Sequence, residues 1–215
     1  DNTFIGSLSG LANTTGNGNA FIGTGTGGVN TTGARNTFVG SSTGISNTTG
    51  DDNTFLGLNS GYSNTTGQAN NFVGRAAGGG NTIGNDNNFV GFFAGAANTT
   101  GSSNNVLGND ALRSNITGFS NIAIGKAALF NNLSTSFSVA IGDSALFSNT
   151  TPGITAVGKN AGFSNTTGLQ NSYYGYLAGQ SNTTGDNNTF IGSFSGVSNI
   201  GGDLNSFVGA GTGYA

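Results

Sequence analysis

A glycine returns every seventeen residues along this 215-residue chain. If the Asn of Asn2-Thr3-Phe4-Ile5-Gly6 is slot 1, slot 5 is Gly6, Gly23, Gly40, Gly57, Gly74, Gly91, Gly108, Gly125, Gly142, Gly158, Gly175, Gly192 and Gly209. Only the step from Gly142 to Gly158 breaks the period, by one residue, and the lone proline, Pro152, falls there in place of a corner glycine. Slot 12 is Asn in all twelve complete copies, starting with Asn13, Asn30, Asn47 and Asn64, and it usually opens Asn-Thr-Thr-Gly. A fixed period of this length marks a repeat architecture in which each unit packs only on its neighbours and equivalent slots lie above one another.

Seventeen residues are too few for a helical hairpin, and the glycine and β-branched content opposes helix. Slots 1 to 4 read Asn-x-Phe-Ile/Val, a short β-prone run closed by glycine, and slots 8 to 14 read as a second extended stretch closed by glycine at slot 15. At about 3.3 Å per residue, one repeat makes a circuit of roughly 55 Å, enough for two or three short strands and their corners. The expected fold is therefore all-β: a parallel β-solenoid of about 13 coils of 17 residues, one array over residues 1–215, with a single coil shortened to 16 near Pro152. At about 4.8 Å per coil the rod is on the order of 60 Å long.

Stacking turns each slot into a ladder. The Phe ladder begins Phe4, Phe21, Phe38, Phe55, and its members supply the core that a weakly charged, glycine-rich chain otherwise lacks. The asparagines of slot 12 are expected to bond the backbone of their own turn and the asparagine of the adjacent coil. The glycines of slots 5 and 15 are expected to supply positive-φ corners. Slot 3 changes from Phe to Val106, Ala123 and Ala140 in copies seven to nine, and in those copies slot 9 changes from Gly to Leu112, Leu129 and Leu146. A Leu filling the space that Phe vacates predicts contact between slots 3 and 9 inside the coil. Ala156 with Gly162 departs from this pairing, and Phe163 is expected to fill that gap.

If slot 3 points inward, slot 4 points outward. Slot 4 is aliphatic in twelve of thirteen copies, with Tyr174 the exception: Ile5, Ile22, Val39, Leu56, Val73 and Val90 begin a stripe that continues to Val208. A strand apolar on both faces predicts burial on both faces, and hence partner chains. The first copy matches the consensus and the last stops mid-coil, so the array is expected to continue beyond both ends, and the missing initiator methionine points to a mature product or a fragment.

Segments such as Asn121-Ile122-Ala123-Ile124-Gly125, Ser138-Val139-Ala140-Ile141-Gly142 and Ile154-Thr155-Ala156-Val157-Gly158 resemble the head repeats of trimeric autotransporter (YadA-like) adhesins. The Asn-Thr-Phe-Ile-Gly and Asn-Thr-Thr-Gly copies are similar to repeat arrays of phage and bacterial tail-fibre-like surface proteins. The resemblance covers the whole chain. It implies a left-handed parallel β-roll, three chains around one axis, and attachment to host surfaces or matrix. The usual head repeat is shorter and has Val or Ala where Phe stands here.

Chemistry is sparse. With no His, Cys or Glu, acid–base and nucleophilic options reduce to scattered Asp, Ser, Lys and Tyr, so no enzyme, catalytic residue or cofactor is expected. Five Lys+Arg and a net charge of −3 give no basic stripe for nucleic acid, and nothing resembles a membrane-inserting segment. Zero cysteine excludes disulfides and thiolate metal sites. Asp51-Asp52, Asp86, Asp186 and Asp203 lie at corners, where solvated turn carboxylates are expected ahead of a calcium site. Gly23-Thr24-Gly25-Thr26-Gly27 lacks the Lys and helix of a phosphate loop. Ten of the twelve slot-12 asparagines open a formal Asn-x-Thr/Ser glycosylation triplet, with few or none expected to be modified.

The expected function is a structural or adhesive segment of an extracellular, cell-surface or virion-surface fibre, a homotrimer making weak repeated contacts with a host surface or matrix. Variable slot 10, with Tyr62, Phe130, Phe147, Phe163 and Tyr214, is either a contact surface or packing between chains. One alternative is a subunit of a head-to-tail filament. Another is an ice-binding solenoid using the Thr and Asn ladders of slots 13 and 14, whose rows are interrupted by Ile83, Ile116, Leu133 and Ile200.

Overall fold

The computed structural model describes residues 1–214. Thirteen three-residue strands, from β1 (Thr3–Ile5) and β2 (Ala20–Ile22) through β7 (Asn105–Leu107) and β10 (Thr155–Val157) to β13 (Ser206–Val208), form one parallel sheet in sequence order, with no helix among the described residues. Register follows the repeat: Thr3, Phe4 and Ile5 pair with Ala20, Phe21 and Ile22. The shortened coil keeps the same slots aligned, Ala140 beside Ala156. The chain is a β-solenoid.

The expected second strand is not there. Slots 6 to 11 form successive turns, and slots 13 and 14 a bend. The reason is local: slots 7 and 9 have left-handed backbone, as at Ala76 (φ 55°) and Gly78 (φ 56°), which an extended strand cannot accommodate. Coil-to-coil hydrogen bonding still continues through the turns, for example from Gly10 N to Thr26 O and from Gly27 N to Thr43 O.

Glycine serves two different needs. At slot 5 the glycines have φ between 126° and 148°, a region closed to side chains, and an added Cβ on Gly40 would lie 2.7 Å from the carbonyl oxygen of Gly57. Slot 15 differs from the expectation because its glycines do not have positive φ. There glycine leaves room: a Cβ on Gly50 would lie 2.4 Å from Gly67 O and 2.5 Å from Asn47 Oδ1. The positive φ falls instead at slot 17, where Arg35, Asp52, Ala69 and Asp86 adopt it (φ 54–59°) without being glycine. These corners are unfavourable for the isolated chain, so stacking must hold them.

The core is one ring wide. Phe21, Phe38, Phe55, Phe72 and Phe89 are fully buried and stack with centroids 4.7–4.9 Å apart, which is the strand spacing itself. Slot 9 faces this ring across the coil: a Cβ on Gly61 would sit 2.4 Å from the Phe55 ring. Where the ring is gone, Leu112, Leu129 and Leu146 are fully buried beside Val106, Ala123 and Ala140. The gap at Ala156 and Gly162 is closed differently from the expectation. Tyr173 and the Leu146 methyl approach from the neighbouring coils, whereas Phe163 stacks on Phe147 in the slot 10 ladder.

Two asparagine ladders run through the buried corner. In slot 12, Asn64 Nδ2 donates to Asn47 Oδ1 (2.8 Å) and to Gly67 O in its own turn (3.0 Å), while its Oδ1 accepts from Asn81 (2.8 Å). In slot 1, Asn53 Nδ2 donates to the same Gly67 O (2.8 Å), and its Oδ1 accepts the backbone N–H of Asn70 (3.0 Å). Most slot 15 carbonyls are thus claimed by two amides; the exceptions are Thr151, Gly168 and Gly202, each reached by one amide, with the Thr151 hydroxyl adding a second donor at Gly168.

The deletion falls at slot 14. Asn149 Nδ2 reaches Thr151 O (2.6 Å), so Thr151 takes the slot 15 position and Pro152 takes slot 16, a correction to the corner-glycine reading. Slot 16 is where side chains such as Asp51 (to Ala34 N, 2.7 Å) accept the N–H of the coil before. Pro152 has no N–H to offer, and the residue above it, Leu169, has no side-chain acceptor. At the same corner Leu133 N makes no bond to the next coil, unlike Thr99 N to Ile116 O (2.9 Å).

Three outcomes follow. Leu129→Gly is expected to cost on the order of 2–5 kcal/mol in urea denaturation, with Ala123→Phe recovering part of it; additive effects would contradict the contact. Asn64→Ala is expected to cost about 2–3 kcal/mol because it orphans buried groups, and Asn64→Asp more, because an acceptor and a charge replace the donor. In backbone hydrogen exchange, Leu133 should exchange faster than its equivalent Thr99.

Candidate functional site

The alternation of the strand aims slot 3 at the core and slots 2 and 4 at solvent. Along the sheet the outward row is Ile5, Ile22, Val39, Leu56, Val73, Val90, Leu107, Ile124, Ile141, Val157, Tyr174, Ile191 and Val208. Ile5, Leu107 and Val208 are 57%, 53% and 69% exposed, and Val39, Leu56, Val73 and Val90 are half-buried, so the stripe remains open along its length. Slot 2 flanks it with Thr3, Thr37 and Thr54, then an asparagine run in which Asn71 Nδ2 donates to Asn88 Oδ1 (2.8 Å), then Ile122 and Val139. In coils 8 and 9 both rows are aliphatic: Ile122, Ile124, Val139 and Ile141.

No slot from 1 to 5 carries a charge in any coil. From slot 1 onward the charged residues lie in slots 6, 7 and 10 (Arg75, Asp110, Arg113, Lys126, Asp143, Lys159) or 16 and 17 (Arg35, Asp51, Asp52, Asp86, Asp186, Asp203). Four of these carboxylates accept a backbone N–H of the preceding coil: Asp51, as above, Asp186 from Leu169 N (2.7 Å), Asp203 from Asp186 N (2.8 Å), and Asp143 from Lys126 N (3.0 Å). Among the described residues no three acidic side chains converge into a metal cage.

Arg35 grips Asp52 through Nε–Oδ1 (2.6 Å) and Nη2–Oδ2 (2.9 Å). That hydrogen bond holds the Asp52 carboxyl below the usual carboxylate range and raises the Arg35 guanidinium. A depressed folded pKa stabilises above the unfolded value and is lost as pH falls through the folded one. Both groups are exposed, so the contribution is small. Tyr173 is the other perturbed group. Burial pushes its phenol well up, and the neutral hydroxyl accepts from Asn182 Nδ2 (2.6 Å) and donates to Asn165 Oδ1 (3.2 Å), joining the slot 12 ladder.

The residues singled out in the sequence separate by depth. Phe21, Phe38, Phe55, Asn30, Asn47 and Asn64 are interior; Phe4 and Asn13, in the first coil, are partly open; Gly6, Gly23, Gly40 and Gly57 stack backbone to backbone. From Asn30 to Asn182 the slot 12 side chains are fully buried, so nine of the ten slot 12 glycosylation triplets are closed in the folded rod, Asn13 being the partly open one. Slot 13 threonines are also engaged, with Thr31 Oγ1 donating to Thr48 O and Thr65 Oγ1 to Thr82 O. In slot 10, Phe130, Phe147 and Phe163 stack on one another at 5.0–5.1 Å. Sequence reasoning missed the charge-free band of slots 1 to 5, although counting charges by slot reveals it. No family model, curated protein or solved structure matches this chain.

Proposed function

We propose that this chain is a structural, adhesive segment of an extracellular fibre, in which three copies lie side by side and bury the outward faces of their sheets against one another. The observation that carries the reading is the charge-free band: an apolar row over thirteen coils, aliphatic in all but the one that carries Tyr174, with no charged neighbour in slots 1 to 5. A solvated rod has no need of such a row, and lateral packing removes it from water. Because every copy repeats at the same strand spacing, rows from parallel copies match coil for coil without further design. The rod itself is stiff, and a stiff rod repeats any weak surface contact many times along its length.

The engagement of slot 13 hydroxyls by backbone carbonyls weighs against an ice-ordering role for that row, since those hydroxyls already point into the coil stack.

Sedimentation equilibrium of the purified chain at micromolar concentration is expected to give a trimer, and a monomer there would overturn the reading. Val73→Asp combined with Val90→Asp places two charges in adjacent coils of the row. These are expected to convert the trimer to monomer while the far-ultraviolet circular dichroism stays that of the parent.

A further inference from the structure

The slot 10 ladder has a notch. Its side chains run Tyr62, Gly79, Ala96, Arg113, Phe130, and slot 11 beside it runs Ser63, Gly80, Ala97, Ser114. Two coils of minimal side chains therefore lie between a tyrosine and an arginine that are three coil steps, roughly 14 Å, apart. The notch opens beside Phe93, forming a concavity of about 330 Å³ whose lining includes Phe93, Ala96, Ala97, Arg113 and Ile116.

Arg113 is preset. Its guanidinium carbon lies 4.6 Å from the centre of the Phe93 ring, and Nη1 donates to Asp110 Oδ1 (2.8 Å). Those two contacts fix the plane of the guanidinium and use one of its five N–H donors; the other four have no partner within the described chain. A second cation, Arg75, lies one coil before Phe93 and two before Arg113, its backbone carbonyl accepting Phe93 N (3.1 Å) and its guanidinium 5.6 Å from the Phe92 ring. An alanine floor beside a guanidinium fork that is itself stacked on Phe93 suits a ligand with one C–H face and one carboxylate.

We propose that this notch binds an acidic saccharide, the sugar ring lying over the Ala96–Ala97 floor and its carboxylate engaging Arg113. A polyphosphate or nucleic acid fits poorly, because two arginines offset by Asp110 give no extended basic track. The site does not depend on self-association. Slot 9 faces the core ring from across the coil, so slots 10 and 11 lie on the side away from the outer sheet face, and the notch is open in a monomer or in a lateral trimer.

Saturation-transfer difference NMR on the intact chain, with millimolar glucuronic acid and N-acetylneuraminic acid and with glucose as the neutral control, tests it. At least one acid should give saturable transfer and glucose none. Arg113→Gln should weaken the response at least tenfold, and Ala96→Phe, which fills the notch, should remove it, both variants keeping the parent's thermal midpoint and sedimentation behaviour. Absence of transfer from both acids to the parent chain would overturn the proposal, as would equal transfer from glucose or parent-like binding by either variant.

Discussion

Everything in this rod rests on the corner carbonyl at slot 15. A corner turned every seventeen residues inside a stack only one ring wide would leave that oxygen dry and unpaired. Two asparagine amides reach it instead: from slot 12 in the same turn and from slot 1 at the start of the coil, as Asn64 and Asn53 do at Gly67. Neutral primary amides suit this place because each carries donors and an acceptor on one short arm. One end closes the turn while the other links to the next coil, so pairing along the axis and closure of the coil are the same network. Threonine at slot 13 extends it outward, with hydroxyls on the carbonyls of the coil above.

The rest follows from register. Once the asparagines fix the coils in line, phenylalanine rings stack at the strand spacing, slot 9 must be glycine wherever a ring is present, and slot 5 must be glycine because its neighbour's carbonyl approaches too closely for a Cβ. Outward slots have no such constraint, which is why Arg35, Leu8 and Phe137 tolerate left-handed corners. The middle of the rod relaxes several rules at once. Ser138 and Ile154 interrupt the slot 1 ladder, Ser138 Oγ has no partner, the rings give way to alanine and leucine, and the deletion falls on the following corner. Buried leucine takes over there what stacked rings do elsewhere.

Much of this was legible in the sequence because a repeat reports the same environment thirteen times. The period gave the solenoid, and the joint change at Ala123 and Leu129 gave the interior contact. Conformation was harder to read. A run such as Ser60-Gly61-Tyr62-Ser63 looks extended by composition, yet the left-handed residues at slots 7 and 9 fold it into turns, and nothing in Leu8 or Ala76 announces positive φ. Glycine likewise looked alike at slots 5 and 15, although slot 5 answers to both φ and space and slot 15 to space alone. The sequence put Pro152 in the corner-glycine slot because Thr150-Thr151-Pro152 fits two alignments, and the bonds of Asn149 and Thr151 decide for the other. On the outer face, the apolar stripe was visible from slot 4 alone; the notch beside Arg113 was not, since it depends on what adjacent coils leave out.

The claim that buried asparagine ladders hold the coils is tested most directly by hydrogen exchange of the side-chain amides, followed by nitrogen-15 NMR. The account predicts two populations: strongly protected Nδ2 protons on interior residues such as Asn47, Asn64, Asn81, Asn53 and Asn70, and exchange at the rate of a free amide on exposed Asn17 and Asn187. A single population, with the slot 1 and slot 12 amides exchanging as fast as the exposed ones, would contradict it.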